Sequence, residues 1–186
     1  YIGTDFIHGR YSAPLLRTST RYALMHERFM TSDRRGPDMM KGTAGIHLHA
    51  AVTSEEDIES LYFLFCRMAT GSLLKMSDRR REIWDSTDSC RCGLPPLIRN
   101  EGTISILESI AGLTLNSEEL RSGIAFRHLS GADFSDFLDH LTTMFTDIRL
   151  NVKGGTVELR TPDSRPLEDF PRAWYSFVQQ CETSVT

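Results

Sequence analysis

The sequence predicts an α+β fold, on three observations. Residues 45–52 and 157–160 alternate apolar and polar side chains with a period of two, as half-buried strands do. Residues 55–68, 133–146 and 167–182 repeat their apolar side chains at helical spacing. Helical stretches lie between and after the strands, an order compatible with sheet and helices packed as separate layers. With 186 residues, 40% hydrophobic and 25% charged, the chain has the make-up of a single domain over 1–186, long enough to bury a sizeable core.

The elements follow in order. Leu15, Tyr22, Met25 and Phe29 recur at helical spacing between Tyr11 and Met30, although Pro14 limits how early a helix can start. Residues 32–37 read as a loop. In the strand over 45–52, Ile46 and Leu48 take one face and His47 and His49 the other. Thr53 to Asp57 offers a hydroxyl cap and acids that favour the positive end of a helix dipole, with Ile58, Leu61, Phe65 and Met68 as the buried stripe and Gly71 as the stop. The segment 72–102 reads as irregular, with a Cys-rich turn and Pro95-Pro96. Short helices are expected over Ile104 to Ala111 and from Asn116-Ser117-Glu118-Glu119. Phe134, Phe137, Leu138, Leu141 and Phe145 then mark a helix over 133–146, and Phe170, Trp174, Phe177, Val178 and Cys181 one over 167–182.

A net charge of −4 with scattered Lys and Arg leaves no footprint for nucleic acid or an anionic membrane. No apolar run approaches the roughly 20 residues a membrane helix needs, and no signal-peptide layout opens the chain, so a cytoplasmic protein is expected. The four cysteines, 66, 90, 92 and 181, read as reduced thiols rather than a disulfide framework. The chain begins at Tyr1 with text that reads as mid-domain, so a portion of something longer is expected.

Three constellations carry possible chemistry. In Val157-Glu158-Leu159-Arg160, strand alternation turns Val157 and Leu159 to a core and points Glu158 and Arg160 together to the other side; this is either a solvated sheet face or a site for metal-bound phosphate. His47 and His49 share a strand face, where neutral imidazoles can bind a cation or accept protons, or simply meet solvent. With Cys90 and Cys92 they offer a two-His, two-Cys zinc set, but one residue between the cysteines is tighter than zinc motifs favour. Arg79 to Pro96 surrounds Trp84 with guanidiniums and acids, a mixture suited to an amino-acid substrate and equally to an exposed polar loop. Neither a P-loop nor a Gly-x-Gly-x-x-Gly fingerprint is present, so an ATP site here would be cradled by a sheet.

Taken in order, four blocks resemble the glutamate-cysteine ligase family of the plant and bacterial type. They are Gly36 to His49, similar to a Met-Met-x-x-Thr stretch leading into a cleft strand; Arg80 to Pro95, similar to Arg-x-x-x-Trp-x-x-Thr-Asp-x-x-Arg-x-Gly; Asp139 to Leu150, similar to His-Leu-Thr-Thr-x-Phe-x-x-x-Arg-Leu; and the Glu158-x-Arg160 strand. The resemblance implies a curved, mainly antiparallel sheet lining an active-site cleft, with helices on its outer face. It implies an ATP- and Mg2+-dependent ligase that phosphorylates the γ-carboxylate of glutamate and joins it to the amine of cysteine or a similar compound. Glu158 and His47 would hold the metal, Arg160 would act on the ATP phosphate as the catalytic cation, and Arg80, Trp84 and Arg91 would bind the amino-acid substrate. The likeness covers only the later half of the family's catalytic domain. The acidic Glu-x-Glu strand that supplies most of the magnesium ligands would come from a missing N-terminal half or a second chain. The alternative expectation is a non-catalytic half-domain that binds a partner or regulates one.

Overall fold

The computed structural model of the chain describes residues 19–32, 35–71, 73–100 and 103–183. Helix α1 (Thr20–Ser32) comes first; the part of the expected helix over 11–18 lies outside the described residues. Helix α2 (Gly36–Lys41) takes in the last two residues of the expected 32–37 loop. Pro37 stands in its first turn, where no intrahelical N–H is lost, so a residue that reads as a breaker serves as a start.

Strand β1 (Leu48–Ala51) is shorter than the alternation over 45–52, because Gly45 makes only a lone bridge to Asp163. Helix α3 (Glu55–Thr70) begins as expected: Ser54 Oγ accepts the Asp57 amide and the Asp57 carboxylate accepts the Ser54 amide, with Gly71 as C-cap. Helix α4 (Asp78–Asp85) lies inside the stretch that reads as irregular. Strand β2 (Cys92–Gly93) follows, then the hairpin of β3 (Ile98–Asn100) and β4 (Thr103–Ser105).

Helix α5 (Ile106–Asn116) runs past Ala111, and the helix expected to open at Asn116 does not form. Ser117 is the C-cap of α5, and its hydroxyl donates back to the Thr114 carbonyl at 2.9 Å, so it does not cap a new helix. Helix α6 (Phe134–Leu141) ends before Phe145, where Thr142 and Thr143 turn their hydroxyls onto the carbonyls of Asp139 and His140. Phe145 enters strand β5 (Phe145–Thr146), parallel to β2. Helix α7 (Phe170–Glu182) starts later than expected, leaving Leu167 exposed.

The chain is thus α+β, with a three-stranded antiparallel sheet and packed helices. That sheet has the order β1-β7-β6, with β6 (Ile148–Asn151) and β7 (Thr156–Leu159) joined by a tight turn in which Gly155 adopts φ +58°. Leu159 stands opposite Leu48 and Ile148; Val157 stands opposite Ala50 and Leu150. This row faces α3, where Leu61, Phe65 and Met68 are buried, and Phe65 meets Phe177 of α7 at 5.5 Å between ring centroids. Fully burying such side chains stabilises by about 1.5–3 kcal/mol each. A second cluster joins Met25 and Phe29 of α1, Met39 of α2 and Ile83 and Trp84 of α4. Among the described residues, no helix is long and apolar enough to cross a membrane.

His140 ties α6 to α5. Its Nε2 lies 2.8 Å from Ser117 Oγ, and its ring stacks on Phe126 at 4.8 Å. Burial first, then the nearby Arg91 guanidinium, depress its pKa, while Ser117, Thr114 and Glu119 pull weakly the other way. The unfolded chain therefore takes up the proton first. Stability is full above the ordinary histidine value of about 6.5 and falls as pH drops below it, until the folded-state pKa is passed. The urea midpoint should fall as pH drops below about 6.5, and His140→Gln should flatten part of that fall; equal slopes in the two proteins would place the acid sensitivity elsewhere.

Candidate anion and metal site

The face of the sheet turned away from α3 carries the site. Glu158 sits in the middle strand with His49 opposite on β1 and Arg149 opposite on β6, so the antiparallel register sets an imidazole, a carboxylate and a guanidinium in one row. Arg149 grips the carboxylate with two parallel bonds, Nε to Oε2 at 2.8 Å and Nη2 to Oε1 at 2.9 Å. His49 Nδ1 lies 3.6 Å from Oε1 and 3.1 Å from Thr156 Oγ1. Glu158 is only 1% exposed. Burial alone would raise its pKa; the Arg149 bonds and charge, followed by His49 and Arg160, override that and hold it below the usual carboxylate range.

His47, two residues before the end of the row, completes a group with His49 and Glu158 whose ligand atoms all lie within 4.8 Å of one another. His47 is exposed to solvent. The protein around it, and then the charge of Arg160, nevertheless outweigh the Glu158 carboxylate and push the imidazole down to about 4. It is therefore neutral near pH 7, the form that binds a metal.

Arg160 continues the same face beyond β7 and is 7% exposed. Its Nη1 donates to the Met144 carbonyl at 3.2 Å and its head lies 5.4 Å from the Phe145 ring centre. Its Nε lies 4.0 Å from Glu158 Oε2 and has no hydrogen-bond partner. Burial, then repulsion from Arg149, push its pKa down to about 10.

A cavity of about 360 Å³ opens beside these residues. Arg21, Tyr22, His47, Arg149, Lys153 and Arg160 supply its charged and titratable lining, and no Asp or Glu side chain is part of it among the described residues. Arg21 donates to Thr142 Oγ1 at 2.7 Å across this wall. Arg149 is paired with Glu158 and Lys153 lies 3.4 Å from Asp139, but the cations still outnumber acids along this lining and favour an anion.

Arg80, Trp84 and Arg91 are placed differently from the expectation. None lines the cavity, and all three are buried. The guanidinium of Arg80 is spent on the backbone after β7 and on Asp163. Arg91 pairs with Asp88 at 3.2 Å and donates to the Glu118 carbonyl. Trp84 donates to the Phe145 carbonyl at 3.0 Å. These contacts make the three side chains parts of the scaffold in this conformation. Cys90 and Cys92 are free and stand apart from the His47, His49 and Glu158 group, which is the metal-capable group found among the described residues.

No family model and no curated protein matches this sequence. The site's chemistry therefore rests on its own residues.

Arg149, Arg21 and Lys153 carry no role in the sequence reading. Arg149 had a usable signal, because a hairpin turned at Gly154-Gly155 pairs Asn151 with Thr156 and therefore Arg149 with Glu158. Arg21 comes from a distant helix, and nothing in its neighbourhood of sequence marks it.

Proposed function

We propose that the chain is the later part of an ATP-dependent glutamate-cysteine ligase, or of a related carboxylate-amine ligase, with the His49, Glu158 and Arg149 face as the wall of a curved-sheet cleft. The supporting observation is the cavity lined by Arg21, Arg149, Lys153 and Arg160, without Asp or Glu among its described lining residues, beside His47, His49 and Glu158. A triphosphate with its divalent ion suits that juxtaposition, since the cations meet phosphate oxygens and the other groups meet the ion.

Magnesium usually takes one or two carboxylates, with phosphate oxygens and waters filling an octahedron. Glu158 and the neutral His47 fit such a role, while a second nitrogen from His49 also suits manganese. An acidic strand from a preceding segment or a second chain would supply further oxygens. When bound, the ion would neutralise phosphate charge.

In the reaction, a γ-carboxylate oxygen of glutamate would attack the terminal phosphorus of ATP, and the bond to the ADP oxygen would break. The amine of cysteine, or of another small amino compound, would then attack the acyl carbon, releasing phosphate and a proton. Arg160 would hold charge on the transferring phosphoryl group, because its Phe145 and Met144 contacts fix its position before ligand arrives. Arg21, which lines the cavity, would meet the substrate carboxylate, and the buried Arg80, Trp84 and Arg91 would shape the cleft from behind. ATP as substrate, together with four free cysteines, fits a cytoplasmic setting.

The test is ADP formation by the purified chain with ATP, glutamate, cysteine and Mg2+, with γ-glutamylcysteine identified by mass. ADP that depends on both amino acids is expected, if need be after adding a polypeptide that carries the acidic strand. Neither ADP nor an ATP-dependent rise in Tm under both conditions would sink the reading. A rise in Tm without ADP would favour the non-catalytic, partner-binding alternative.

A further inference from the structure

Three side chains of α4 converge on Arg160, and none of them lines the cavity. Arg80 Nη2 donates to the Arg160 carbonyl at 3.1 Å. Arg81 holds the Asp147 carboxylate with two bonds of 3.1 and 2.7 Å, and the Asp147 carbonyl in turn accepts the Arg160 amide at 2.9 Å. Trp84 Nε1 fixes the Phe145 carbonyl, and the Phe145 ring lies beneath the Arg160 head. Amide, carbonyl and guanidinium of one residue are thus each set by a different residue of one helix.

The geometry of a helix explains the division of labour. Consecutive residues point in different directions, so Arg80 reaches the strand end while Arg81 reaches Asp147. Trp84, one turn on, lies 4.7 Å from the Arg80 guanidinium and covers it. Only a guanidinium has the fork of donors for the Arg80 position, where Nη1 also serves the carbonyls of Thr161 and Pro162 and the carboxylate of Asp163.

The same group reaches the histidine arm. Gly45 bridges to Asp163, the Ile46 amide donates to the Pro162 carbonyl at 2.9 Å, and a Cβ on Gly45 would stand 2.5 Å from Arg80 Nη2. The backbone leading to His47 therefore packs directly on the Arg80 head.

We propose that α4 is the positioning element of this site: Arg80, Arg81 and Trp84 set where the Arg160 guanidinium stands, and through Gly45 they couple that placement to His47, without any of the three touching ligand. The kinetic arm of the test rests on the ligase reading; the structural arm does not.

The experiment compares the full chain with Arg80→Lys, Arg81→Gln and Gly45→Ala, the last of which keeps all three α4 side chains and displaces only the Arg80 head. Amide hydrogen exchange is read at Ile46 and Arg160 against the α3 core. In each folded variant, exchange at Ile46 or Arg160 should quicken about tenfold or more while α3 keeps its protection. Where the wild type forms ADP, kcat should fall by about tenfold or more with a smaller change in KM for ATP. Unchanged protection at both amides, equal loss across α3, or local opening with unaltered kcat would each overturn the proposal. A wild type that forms no ADP removes the ligase reading and leaves the exchange data to decide this one.

Discussion

Replacing Arg160 by Met is expected to stop turnover while leaving the fold as stable as before, or more so. The charge is badly placed for stability: it is 7% exposed, donates to the Met144 carbonyl, and is repelled by Arg149, with the Glu158 carboxylate 4.0 Å away as a partial offset. Burial, then Arg149, push its pKa down to about 10, so holding the charged form there is costly. A hydrogen bond from a charged donor returns about 1.5–3 kcal/mol. Met keeps the apolar stem over Phe145 and removes both terms, so Tm should stay level or rise by a few degrees. Loss of a preorganised cation facing a developing phosphoryl charge costs about 10²–10³ in kcat. Thermal melts and ADP formation measured on the same preparation separate the two roles. A large fall in Tm would make Arg160 a structural residue.

How far the sequence reveals this site depends on the distance over which its residues are brought together. Alternation in 157–160 places Val157 and Leu159 in the core and Glu158 and Arg160 opposite, and both pairs are found so. The helix start at Ser54 is legible because a capping box is closed within four residues. Helix α4 was hidden because Arg79, Arg80 and Arg81 look like a solvated run; it is held by long-range bonds from Arg80 and Arg81 to residues 160–163 and 147, which no local pattern contains. Arg80 and Trp84 show the same limit: the sequence does not reveal that they meet backbone carbonyls, since a guanidinium held by substrate and one held by carbonyls look alike in sequence. Arg21 reaches the cavity from α1 and bonds Thr142 just past α6, a long-range contact with no local signature.

Arg149 and a metal ion must compete for the same carboxylate, and that competition gives the second large effect. Both Glu158 oxygens accept from Arg149, so an ion binding at His47, His49 and Glu158 would share those oxygens with a guanidinium and sit near two cations. Phosphate oxygens entering the cavity would offer Arg149 another partner, which predicts that nucleotide and ion assist each other. Arg149→Met removes the competitor and should tighten Mn2+ binding in the absence of nucleotide by about tenfold, read by electron paramagnetic resonance titration. Glu158→Gln should abolish that binding and lower stability by about 2 kcal/mol, because it leaves Arg149 facing an amide; the figure is below that of a fully buried pair since the Arg149 side chain is 24% exposed. Combining both substitutions should restore part of the lost Tm and none of the Mn2+ binding, since the stranded cation is gone but the ligand oxygen is still missing. Equal Mn2+ affinity in wild type and Arg149→Met would mean that the ion binds somewhere other than this strand row.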